Sequence, residues 1–275
     1  MRVALALGGG GARGIAHIHV LAALDELGVE IVELAGSSIG GMMATARASG
    51  MKGAEIEDYA LAMLGNPANV GAAMLRAGPT QGVVPLLKPR LVDLDAERVL
   101  RAFMPPLPPC IEDLAIPTTL TATDFYEQTC IVQRTGPLFD ALAASIALPA
   151  IFSPVQRDEM VLIDGGISNP VPFDLLNRVD ADLVVAVDVV GMPVRHPRRL
   201  PNKREQLFGA SQVLMQAAIR EKCSRQAPDI LIRPPVNGIG VMDFLRVRRI
   251  LDDTRGVKDE VKRQVEARVE VSAEA

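Results

Sequence analysis

Cysteine and histidine are both scarce. The chain has three of each in 275 residues. Cys110, Cys130 and Cys223 are far apart and odd in number, with no CxxC spacing and no histidine beside them. A zinc site and a disulfide framework are therefore not expected, and the thiols read as reduced and structural. Long apolar runs are also missing. The opening MRVALALGGGGARG holds about six apolar residues before four glycines, too few for a signal-peptide core, and no stretch approaches the ~20 residues of a membrane helix. A soluble, cytoplasmic protein is the expectation. The net charge is only −4, and over the whole chain the basic residues are spread among the acids, so no nucleic-acid partner is expected.

What is present is an apolar fraction of 49%, enough for a sizeable core, at a length that fits one α/β domain over residues 1–275. Arg2 to Leu7 reads as a buried strand, the glycines as a tight loop, and Ile15 to Leu27 as a helix with apolar residues at helical spacing. The unit repeats in Val29 to Ala35, the turn GSSIGG, and a small-residue helix from Ile39 to Ala48. Repetition of this kind favours a mostly parallel sheet with helices on its faces. Residues 53 to about 110, rich in Ala, Met, Gly and Pro and ending in PPLPP, break the rhythm and suit a cap or lid. Met63, Leu64, Met74 and Leu75 there suggest an apolar wall. Further strands are expected at Thr118 to Thr123, Cys130 to Arg134, Val161 to Ile163, Leu183 to Val190 and Asp229 to Ile232. Helices are expected at Leu138 to Ala147 and Gln206 to Gln226, with a charged C-terminal helix over 252–275.

Three short patterns carry chemistry. Gly36-Ser37-Ser38-Ile39-Gly40 matches G-x-S-x-G between a strand and a helix, where a nucleophile stands on a sharp turn at a helix N-terminus. An N-capping Ser38 in an ordinary glycine turn is the plain alternative. Gly8 to Gly14 supplies converging backbone amides for an anion, either a pyrophosphate or an acyl-transfer oxyanion. Gly9, Gly11 and Gly14 also satisfy G-x-G-x-x-G, and Glu30 lies where a ribose-binding acid would, so a dinucleotide site is the strongest rival. A nucleophile elbow after the second strand argues against it. Arg13 reads as a brace for the loop, a contact to substrate phosphate, or a solvated cation.

The third pattern is Asp164-Gly165-Gly166 at the end of a short strand. A serine nucleophile needs a base, and the histidines are poorly placed: His17 and His19 lie on the first helix, and His196 lies in an arginine- and proline-rich loop. That leaves Asp164. As a weak base at its ordinary pKa of ~3.9, it would need desolvation or hydrogen-bond reach to the hydroxyl.

Taken together, GGGARG at Gly9 to Gly14, G-x-S-x-G at Gly36 to Gly40 and DGG at Asp164 to Gly166 resemble the patatin-like phospholipase family in order and spacing. Thr123-Asp124 and the segment at 141–155 add to the resemblance, which covers roughly residues 1–190. It implies a patatin-like three-layer α/β/α sandwich, hydrolysis of acyl-lipid esters, and neither metal nor organic cofactor. By position it makes Ser38 the nucleophile, Asp164 the base, and the amides around Gly9, Gly10 and Gly11 the oxyanion hole. Arg13, Gly14, Gly36, Gly40, Gly165 and Gly166 support the motifs. The implied partner is an acyl lipid, and without a membrane span any membrane contact is expected to be peripheral; a lipid-binding regulator with a degenerate site is a further alternative, disfavoured by the three intact motifs. His19 departs from the small residue of many bacterial relatives, with an effect expected on packing near the loop.

Overall fold

A computed structural model describes residues 1–77, 94–195 and 197–273. Among them, eight strands form one sheet: β1 (Arg2–Leu7), β2 (Glu30–Ser37), β3 (Thr118–Asp124), β4 (Thr129–Gln133), β5 (Val155–Arg157), β6 (Met160–Asp164), β7 (Leu183–Val187) and β8 (Ile230–Ile232). The order is β5-β6-β3-β2-β1-β7-β8, with β4 also paired to β3. β3, β2, β1, β7 and β8 run parallel, while β4 and β6 add to β3 antiparallel and β5 adds antiparallel to β6.

Alternation along the strands builds two cores. Val3, Leu5 and Leu7 of β1 and Leu183, Val185 and Val187 of β7 face one apolar cluster; Ala4, Ala6, Val184 and Ala186 face the other. The larger cluster takes in α1 (His17–Glu26), α2 (Ile39–Ala48), α3 (Gly53–Leu64), α6 (Leu138–Ile146), α8 (Val247–Thr254) and α9 (Val257–Ala273). The opposite face is covered by α7 (Lys203–Arg225), whose Met215, Ile219 and Cys223 follow one another every four residues on the side turned to the sheet. The result is the three-layer α/β/α arrangement with a mostly parallel sheet. Fully burying a Leu or Val side chain stabilises by about 1.5–3 kcal/mol, so these two alternating rows hold the layers together.

The region expected as a cap supplies α3, α4 (Pro67–Ala77) and α5 (Ala96–Phe103); residues 78–93 lie outside the described residues. Some boundaries differ from the sequence expectation for local reasons. The first helix begins with a 3-10 turn over Gly11–Ala16. β7 stops at Val187 because the Asp188 carboxylate folds back to accept the Val190 N–H at 3.0 Å and a bond from Gln216 at 3.0 Å. The charged C-terminal helix is two helices, α8 and α9, the second docked through Val257, Val261 and Val265.

Candidate active site

The sheet itself brings Ser38 and Asp164 together. β3 has β4 along one edge, paired from Leu120 to Asp124. Along its other edge runs β2, which ends with Ser37 opposite Thr121, and then β6, which takes over with Asp164 opposite Ala122. The end of β2 and the end of β6 therefore meet head to head at neighbouring positions of β3.

At that junction the chain turns sharply. Ser38 has φ 54° and ψ −126°, a conformation that costs a residue with a side chain about 1–3 kcal/mol, and α2 starts at the next residue. The glycines of the motif are steric necessities. A Cβ on Gly40 would stand 2.0 Å from the Leu7 carbonyl oxygen, and one on Gly36 would stand 2.5 Å from the Gly41 Cα. The turn is pinned from both sides: the Ser38 N–H donates to Ser145 Oγ of α6 at 2.9 Å, and Ser37 Oγ donates to the Asn169 carbonyl at 2.5 Å.

Ser38 Oγ donates to Asp164 Oδ2 at 2.5 Å, and Asp164 Oδ1 accepts the Gly166 N–H at 2.7 Å. Both side chains are buried. Burial raises the Asp164 carboxyl from 3.8 to about 6, against the opposing pull of the hydrogen bonds from Ser38 and Gly166. Its backbone is fixed by N–H donation to the Ala147 carbonyl at 3.0 Å and by Thr123 Oγ1, which donates to the Asp164 carbonyl at 2.9 Å. Gly165 lets β3 approach, since a Cβ there would lie 2.2 Å from the Thr121 carbonyl oxygen.

The glycine loop lies against this pair, with the Cβ position of Gly9 3.3 Å from Ser38 Cβ. Its peptides are not equivalent. The Gly9 N–H donates to the Pro170 carbonyl at 2.9 Å and is therefore already engaged within the protein. The Gly10 and Gly11 N–H groups meet no protein acceptor among the described residues. Arg13 Nε donates to the Gly10 carbonyl at 3.0 Å, and its guanidinium also donates to the Val190 carbonyl. In a trans peptide the N–H points opposite the C=O, so holding the Gly10 oxygen aims the Gly11 N–H the other way. Burial lowers Arg13 to about 10, partly offset by Asp188, which leaves it charged. Arg13 is thus a brace of the loop.

His17 Nε2 donates to the Gly8 carbonyl at 2.8 Å; burial lowers its pKa to about 4, so the ring is neutral and structural. His19 bonds the Leu251 carbonyl at 2.8 Å and ties α1 to α8 rather than reaching the loop. His196 lies outside the described residues. Glu30 pairs in register with Arg2, at the start of β1, whereas the glycine loop follows the end of that strand. An acid at the opposite end of the sheet is misplaced for a ribose on the loop, which removes the main support for a dinucleotide site.

A cavity of about 620 Å³ opens at Ser38 and Asp164. Eight methionines line it, Met42, Met43, Met51, Met63, Met74, Met104, Met215 and Met242, of the eleven in the chain. Among its described lining residues only Arg13 and Asp164 carry charge. Met63, Leu64 and Met74 belong to the wall as expected, but Leu75 faces outward, 84% exposed. Leu207, Phe208 and Met215 of α7 also line it, as do Val241, Met242, Phe244 and Leu245 from beyond the stretch that the motifs cover. Ser145 and Asn169 were not singled out from the sequence. Nothing local marks them, because each acts on the elbow from more than a hundred residues away.

The fold and site define a mostly parallel α/β protein in which a strained serine elbow, a buried aspartate and a glycine loop meet at the strand ends. A family profile described as patatin-like phospholipase matches residues 5–177, and the chain belongs to that family. It is 38% identical over 194 residues to an uncharacterised NTE family protein of Mycobacterium tuberculosis, covering 69% of this chain and 49% of that protein. It is 31% identical over 189 residues to patatin-like phospholipase domain-containing protein 6 of Homo sapiens, covering 68% of this chain and 13% of that protein. The chain thus spans about half the length of the mycobacterial relative. Among solved structures, the heterodimeric ExoU–SpcU complex from the type III secretion system of Pseudomonas aeruginosa aligns with a TM-score of 0.46 at 16% identity, over 98% of this chain and 52% of that one.

Proposed function

We propose that this chain hydrolyses carboxylic esters of acyl lipids, (lyso)phospholipids or related compounds, through a Ser38–Asp164 dyad and an acyl-enzyme intermediate. The observation that carries the reading is the 2.5 Å bond from Ser38 Oγ to Asp164 Oδ2 at the strand-to-helix elbow. With the Asp164 pKa at about 6, the carboxylate is ionised at neutral pH yet is a stronger base than an ordinary aspartate. Ser38 Oγ attacks the ester carbon as its proton moves to Oδ2. The oxyanion of the tetrahedral intermediate is received by the Gly10 and Gly11 amides, near the positive end of α2. Asp164 then passes the proton to the departing alcohol. A water gives its proton to Asp164, attacks the acyl-enzyme, and Ser38 recovers its hydrogen as the fatty acid leaves. The methionine-rich cavity takes the acyl chain, because unbranched thioether side chains adapt to a flexible apolar guest.

The test is hydrolysis of p-nitrophenyl acyl esters. Wild type is expected to turn over, and Ser38→Ala and Asp164→Asn are expected to lose on the order of 10³-fold or more in kcat. Since only ionised Asp164 serves as base, kcat/KM should climb with pH through about 6 and level off above it. Retained activity in either variant would rule out the dyad.

A further inference from the structure

Beside the mouth of the cavity the surface is apolar and basic together. After β7, the described residues 191–195 and 197–202 lie outside helix and strand, and α7 follows. Between Gly191 and Arg204 the sequence has five cations and no acid, in a chain whose net charge is −4. Interleaved with them stand the exposed apolar residues Met192, Val194 and Leu200, the last 87% exposed. On α7, Lys203, Leu207 and Leu214 occupy positions i, i+4 and i+11, one stripe of the helix, and Leu214 is 71% exposed. Leu207 belongs to both surfaces: it lines the cavity and is 60% exposed. The start of the loop is fixed at this place. Gln212 Nε2 donates to the Val190 carbonyl and the Met192 N–H donates to Asn237 Oδ1, each at 2.9 Å.

Contiguous exposed apolar side chains are costly in water and mark a contact surface. Their mixture with cations that outnumber the one adjoining acid, Glu205, selects the partner, since a bilayer bearing anionic lipids offers both an apolar boundary and negative headgroups. We propose that the 191–203 loop and the exposed stripe of α7 dock this chain onto an anionic membrane surface, with the cavity mouth at the lipid. Arg199 adds little, because Glu205 holds it in a two-pronged bond at 2.6 Å. Arg195, Arg198 and Lys203 supply the attraction, while Leu200 and Leu214 insert. An ester drawn from the bilayer then reaches Ser38 along Leu207 without crossing water, a route that rests on the acyl-hydrolase reading above.

The test is flotation of the full chain with phosphatidylcholine vesicles, with and without about one third phosphatidylglycerol. Wild type is expected to float with the anionic vesicles, less with the neutral ones, and to be released by salt. Arg195→Gln/Arg198→Gln and Leu200→Ser/Leu214→Ser should each weaken vesicle partitioning at least about tenfold, since each cation near such a surface contributes roughly fivefold. Val179→Ser serves as the control, because Val179 is 91% exposed but precedes β7, at the end of the strand away from the site. It should bind as wild type does. None of these residues lines the cavity, so turnover of a short, water-soluble ester should match wild type in all. Loss of that turnover in wild type would defeat the hydrolase reading alone. Unchanged vesicle binding in both double variants would overturn the docking surface. So would a wild type that ignores vesicles and self-associates through Leu200 and Leu214.

Discussion

Burial makes Asp164 a stronger base and, by the same physics, a destabilising residue. Its carboxyl keeps its proton to about pH 6 in the folded chain and to about 3.8 when unfolded. Between these values the folded state binds more protons, so stability falls as pH rises, and above pH 6 the accumulated cost is on the order of 3 kcal/mol. Asp164→Asn is therefore expected to be more stable than wild type at pH 7, by about 1–3 kcal/mol in urea unfolding, while losing turnover. His17 works in the other direction. It is neutral in the fold down to about pH 4, whereas the unfolded ring takes a proton below 6.5, so stability rises with pH over that interval. The two slopes oppose each other between pH 4 and 6 in wild type. In Asp164→Asn the His17 slope stands alone, and the Tm should drop steadily from pH 6.5 to 4.5. A Tm of the variant that stays flat over this range would contradict the assignment of His17 as buried and neutral.

At the scale of elements, the 3-10 turn that carries Arg13 shapes the glycine loop. Arg13→Lys keeps the charge but loses the rigid fork that reaches both the Gly10 and Val190 carbonyls. Freed from Arg13, the Gly10–Gly11 peptide no longer aims its N–H, so kcat should fall roughly 10- to 100-fold with a smaller change in KM. A KM effect alone would assign Arg13 to substrate binding instead. The loop, the elbow and the strand ending in Asp164 were visible in the sequence because each is a short motif between apolar runs of clear period. β1, α2 and α6 were legible for the same reason, within a residue of their ends. Their neighbours were not. β5 is the three-residue VQR, without an apolar run, and no strand's own residues state that β6 joins β3 antiparallel. Yet that pairing is what sets Asp164 beside Ser38. The unequal engagement of the loop amides was likewise hidden, because only the contact to Pro170, about 160 residues away, occupies the Gly9 N–H.

In the whole molecule, the Ser38–Asp164 pair where the ends of β2 and β6 meet opens into a methionine-rich cavity walled in part by α3, α4, α5 and α7. A cavity of about 620 Å³ with almost no charge favours a long apolar chain. Across a series of p-nitrophenyl esters, kcat/KM should rise with acyl length by up to about fourfold per methylene until the cavity is filled, as expected for ~0.8 kcal/mol per buried CH₂. A maximum at the acetyl ester would contradict that use of the cavity. The most direct test of the central claim is intact-protein and peptide mass spectrometry after rapid acid quench of turnover on a p-nitrophenyl acyl ester. The account predicts a single acyl adduct on Ser38, absent in Ser38→Ala and not accumulating in Asp164→Asn. An adduct on another residue, or normal acylation of Ser38 without Asp164, would contradict it.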